Sequence, residues 1–122
     1  MMDRAVWIEQ VAIALEELGD RQFQQRVWWR GEGPEVSSFT EAVCTLDDKD
    51  LEGLIDRCGE WGYAADLADR LRRYDRALEE FIHDVGSYPP RELVLSDPRW
   101  PGLCDDAKVL ADELRAGNSR AE

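Results

Sequence analysis

Apolar residues recur along the chain at helical spacing. Ile8, Val11, Leu15 and Leu18 are separated by three, four and three positions, which makes one apolar helical face. Gly19 supplies a stop and Asp20 a new N-cap. A shorter amphipathic piece follows, with Phe23 and Val27 one turn apart and Trp28-Trp29 at its end, before Gly31-Glu32-Gly33-Pro34 breaks it. Ser38-Phe39-Thr40-Glu41 has capping-box spacing and predicts a short helix through Leu46. Asp47-Asp48-Lys49-Asp50 offers caps for the next, whose face is Leu51, Leu54, Ile55 and Cys58 and whose end is Gly59.

The strongest signal is the alternation of threes and fours through Ala64, Leu67, Leu71, Tyr74, Leu78, Phe81 and Val85. Neither Gly nor Pro interrupts Tyr63 to Val85, which predicts a helix about 35 Å long. Asp66 to Arg70 and Asp69 to Arg73 are acid-first i,i+4 pairs on it, and Gly86 lies just past its end. Ser87-Tyr88-Pro89-Pro90 forms a corner. For Leu93-Val94-Leu95 two readings stand open, a brief strand and a single helical turn. Asp97-Pro98 and Pro101 suit helix entry, and Leu103, Ala107, Leu110 and Leu114 continue the helix until Gly117-Asn118.

The expected fold is therefore all-α, a compact bundle of four to six helices around a long central helix over residues 63–85. Residues 1–117 form a single helical domain and 118–122 a frayed tail. The three-four spacing of 63–85 also suits a coiled-coil seam, so a monomer and a weak homodimer are both kept. At 122 residues, folding removes roughly two thirds of the unfolded chain's accessible surface, enough for a core without metal or disulfides.

Charge narrows the partners. Lys and Arg total 15 and Asp and Glu 27, a formal net charge of −12, which disfavours direct binding to nucleic acid or to an anionic membrane. No stretch of about 20 apolar residues exists to span a membrane, and Met1-Met2-Asp3-Arg4 does not open a secretory signal. Cys44, Cys58 and Cys104 are odd in number and far apart, which suits free thiols acting as small hydrophobes in a reducing cytoplasm.

Several chemistries find no support. Asp48, Asp50, Glu52, Gly53 and Ile55 match early positions of a calcium loop, but Gly59 stands where that loop needs a bidentate Glu. The apolar face of Leu51, Leu54, Ile55 and Cys58 also wants helix where the template wants loop. The lone His83 lies off the apolar seam, and no cysteines sit two to four apart, so no metal and no cofactor are expected. No serine occupies a nucleophile elbow and no glycine-rich turn cradles phosphate. The expectation is a protein without catalytic residues.

Two features point to binding. Five tryptophans are present, and adjacent helical residues point about 100° apart, so Trp28 and Trp29 do not both face one core. An exposed indole beside Arg30 is the composition of an interface hot spot. Residues 36–62 hold Glu41, Asp47, Asp48, Asp50, Glu52, Asp56 and Glu60 against Lys49 and Arg57, a local net charge of −5. The leading expectation is a non-enzymatic inhibitor that docks on a basic nuclease or nucleic-acid-binding protein. Immunity proteins, antitoxins and phage anti-defence inhibitors are its analogues in class. Asp47, Asp48, Asp50, Glu52 and Asp56 are the partner-binding acids and Trp28 or Trp29 the anchor. The alternative is a small enzyme or ligand-binding bundle with a pocket lined by carboxylates and tryptophans.

Overall fold

The computed structural model describes residues 3–34 and 37–121. Seven α-helices and one π-helical segment occur among them, and no strand, so the all-α expectation holds. The helices are α1 (Arg4–Gly19), α2 (Arg21–Phe23), α3 (Phe39–Asp48), α4 (Leu51–Arg57), α5 (Ala65–Val85), α6 (Arg91–Leu95) and α7 (Trp100–Ala121). The π-helical segment Gln24–Trp29 continues α2. None of the helices among the described residues is long and apolar enough to cross a membrane.

Local chemistry accounts for the starts. Asp20 Oδ1 accepts from the Phe23 N–H at 3.0 Å, and Ser38 Oγ accepts from the Glu41 N–H at 3.2 Å. Asp50 begins α4 in the left-handed region at φ 57°, its carboxylate accepting from the Gly53 N–H at 3.1 Å. The open question at 93–95 is settled as the helical turn α6. The stop expected at Gly117-Asn118 is not taken. The backbone stays helical to Ala121 because Asn118 is held, its Nδ2 donating to the Ala5 carbonyl at 3.0 Å. Of the tail expected over 118–122, Glu122 lies outside the described residues.

The most extensive helix pairing is α1 against α7, and α5 also packs on α7 while α4 lies on α5 and α3 on α1. The long α5 has the clearest periodicity because one whole side of it faces solvent. Leu67, Leu71, Tyr74, Leu78 and Phe81 are buried while the positions between them are largely exposed. Its apolar face is filled from within the same chain. Gly19 ends α1, as its position suggested, and serves a second purpose: a Cβ there would stand 2.8 Å from the Cys104 carbonyl oxygen and 3.1 Å from the Lys108 nitrogen, so glycine lets α1 approach α7. Charged bridges tie the three long helices together. Arg70 donates to both Glu113 oxygens at 2.5 and 2.7 Å, and Arg115 Nε donates to Glu9 at 2.9 Å and pairs with Glu16.

An aromatic cluster fills one end of the core. Trp100 stacks on Phe81 with centroids 5.4 Å apart, and Phe39 and Trp28 meet it at 5.5 and 6.1 Å. Beneath it lies Gln24, fully buried, whose Nε2 donates to the Leu18 and Glu17 carbonyls at the end of α1, at 2.9 and 3.1 Å. Its Oε1 accepts from the Trp100 indole N–H at 2.9 Å. The π-helical segment thus carries a polar side chain that donates to two carbonyls at a helix end, that of Leu18 and, beside the Asp20 N–H, that of Glu17.

Candidate partner-binding cleft

The expected partner-binding acids separate into two groups. Asp47 from the end of α3, Asp50 from the α3–α4 corner and Glu52 from the first turn of α4 line one cleft of about 300 Å³. Asp75 and Glu79 of α5 complete its acidic wall, and Val43, Leu46, Leu51, Leu78 and Ile82 supply apolar lining. None of these five carboxylates takes part in an ion pair among the described residues. Arg70 is committed to Glu113 and Arg99 to Asp84, while Arg72 and Arg76 border Glu52, Asp75 and Glu79 in the adjoining groove without pairing with them.

Repulsion within the cleft has a visible effect. Asp75 is held above the ordinary carboxylate range, first by its partial burial and then by the negative charges of Glu79, Glu52 and Asp47. A positive group entering the cleft offsets the repulsion among these carboxylates.

The other predicted residues lie elsewhere. Asp56 sits in the adjoining groove with Arg72 and Arg76, and its carboxylate is 3.9 Å from Arg72. Asp48 is exposed and outside the lining of the cleft. Trp28 is corrected as an anchor: at 6 % exposure it belongs to the aromatic core, where its indole N–H donates to Ser37 Oγ at 3.2 Å and Ser37 Oγ donates in turn to Glu17 at 2.8 Å. Trp29 is the outward member of the pair at 40 % exposure, with the Arg91 guanidinium 5.4 Å above its ring. It does not line the acidic cleft.

Sequence reasoning missed Asp75 and Glu79. A signal was present: Asp66 and Asp69 stand four residues before arginines, whereas Asp75 and Glu79 are two acids at that spacing, a repulsive pair on the face that also bears Leu71 and Leu78. Of the two predicted i,i+4 bridges, Asp66–Arg70 forms at 2.8 Å, but Asp69 is taken by Arg72 at 3.5 Å.

The cysteines also divide. Cys58 and Cys104 are buried, and burial pushes both thiols up to about 11. Cys44 differs from the expected buried hydrophobe: it is exposed at the acidic cleft. His83 is exposed on α5, as its position off the seam implied. The partial calcium-loop match is overridden locally, because α4 begins at Leu51 and Asp50 spends its carboxylate on the Gly53 N–H. Comparison of the chain with protein-family models, curated proteins and solved structures gives no match, so the cleft is read from its own geometry.

Proposed function

We propose that the protein is a non-enzymatic binding protein whose acidic cleft captures a cationic segment of a basic protein, as an inhibitor of a nuclease or nucleic-acid-binding partner in the cytoplasm does. The observation that carries this reading is the convergence of Asp47, Asp50, Glu52, Asp75 and Glu79, from three helices and a corner, on one apolar-lined cleft without a neutralising ion pair among the described residues. Such a cleft suits the long stem and charged head of Lys or Arg, with the stem on Leu46, Leu78 and Ile82 and the head among the carboxylates. In the partner, those carboxylates occupy positions that phosphates otherwise take.

The test is capture and inhibition. Immobilised wild-type protein is compared with Asp47→Lys/Glu52→Lys/Glu79→Lys, using purified basic nucleases as probes, at low and high salt. Salt-sensitive capture with loss of nuclease activity, abolished by the triple reversal, supports the reading. Equal capture by the reversed protein refutes it.

A second reading rests on Asp75. A carboxyl with a raised pKa in a concave site is what a ligand-binding or catalytic bundle displays. The expected tryptophans are missing from this cleft, which favours the protein–protein reading. Spermine separates the two: saturable binding in the cleft together with no inhibition of any basic nuclease supports a small cationic ligand.

A further inference from the structure

A second cleft lies between α5 and α7, away from the acids just described. It has a volume of about 410 Å³, within the range of small-molecule sites, and its walls are mainly apolar. Ala77, Val109 and Leu110 line it, and Val109 is 52 % exposed, an apolar side chain left open to solvent.

Two opposite charges border this apolar surface. Arg73 stands on the α5 side and Asp106 on the α7 side, and neither takes part in an ion pair among the described residues, with each other or with a third group. The reason for the vacancy on Arg73 is local: its expected i,i+4 partner Asp69 pairs with Arg72 instead. Arg70, which also borders the cleft, is committed to Glu113 and Asp66, so its charge is already answered. The cleft therefore offers one open cation and one open anion beside an apolar wall.

We infer that this cleft binds a free α-amino acid with an aliphatic side chain. The ligand's carboxylate accepts from the Arg73 guanidinium, its ammonium donates to the Asp106 carboxylate, and its side chain covers Ala77, Val109 and Leu110. A zwitterion matches the site where a simple anion or cation does not. A lone carboxylate leaves Asp106 as a repulsive neighbour, and a lone amine does the same with Arg73. Both anchors are solvent-exposed, which places the affinity in the millimolar range.

The experiment is a titration of the full ¹⁵N-labelled chain with L-leucine, followed by amide shifts. Saturable changes centred on Ala77, Val109 and Leu110 are expected. Two probes lacking one charge, 4-methylpentanoate and isopentylamine, bind about tenfold more weakly than leucine. Arg73→Gln weakens leucine to the level of isopentylamine, and Asp106→Asn weakens it to the level of 4-methylpentanoate. Absence of saturable shifts, shifts confined to the acidic cleft, or equal binding of leucine and either probe overturns the inference. So does a concentration-dependent dimer that Val109→Asp dissolves, because a second copy of the chain then covers this face.

Discussion

Gln24 offers the sharpest test of how the fold is held. Replacing it with Met keeps the length and nearly the volume of the side chain, so the cavity contribution is small. What changes is the polar accounting. The Trp100 indole N–H, in a residue 1 % exposed, loses its acceptor, the Leu18 carbonyl loses its side-chain donor, and the Glu17 carbonyl is left with the Asp20 N–H alone. A buried donor left without a partner costs about 1–3 kcal/mol, and the carbonyls add to it. Gln24→Met is therefore expected to lower the unfolding free energy by about 3 kcal/mol, a large share of the 5–15 kcal/mol typical of a domain. At about 4 °C per kcal/mol the melting temperature falls by about 12 °C.

Urea denaturation followed by tryptophan fluorescence measures the loss, and a double-mutant cycle with Trp100→Phe assigns it. In the Trp100→Phe background the indole N–H is gone, so Gln24→Met costs about 1–2 kcal/mol less there than in the native chain. A loss below about 1 kcal/mol, or strictly additive effects, refutes the account of Gln24 as the shared partner of α1 and α7.

Four further outcomes are expected. Asp75 has a raised carboxyl pKa, so its unfavourable effect on stability is absent below the unfolded-state value and develops as pH rises through the folded one. Asp75→Asn therefore stabilises the protein at neutral pH, by at least the 0.2–0.5 kcal/mol of a repulsive i,i+4 pair (roughly), and the gain shrinks in acid and in high salt; a constant difference from pH 3 to 8, roughly the range in which carboxylates titrate, argues against the cleft's mutual repulsion. Gly19→Ala places a methyl against the Cys104 carbonyl and costs about 1–3 kcal/mol by thermal unfolding, and Gly117→Ala does likewise by striking the Tyr63 ring, which is held by the bond from its hydroxyl to the Leu114 carbonyl. Tyr74→Phe removes a buried hydroxyl that has no partner among the described residues, so calorimetry should show equal or greater stability. With a thiol reagent near neutral pH, Cys44 reacts in the native protein whereas Cys58 and Cys104 react only on unfolding; labelling of all three at one rate contradicts their burial.

The elements were legible in the sequence because helices are local. Threes and fours among Leu67, Leu71, Tyr74 and Leu78 fix a helix whatever it packs on, and Asp20, Ser38 and Asp50 each cap an N–H three residues away. The excess of acids and the stretch from Asp47 to Glu52 were equally open to reading, since charge is carried by residue type. Partnership between distant segments was not. A periodic face declares that it must be buried but not against which helix, so the joining of Gln24 to Trp100 across 76 positions was invisible. The choice of Trp28 over Trp29 for the core was hidden for the same reason. The cleft is the clearest case. Asp47, Asp50 and Glu52 announced themselves as neighbours in the chain, whereas Asp75 and Glu79 joined them only because α4 packs along α5 and turns that face of the helix toward them.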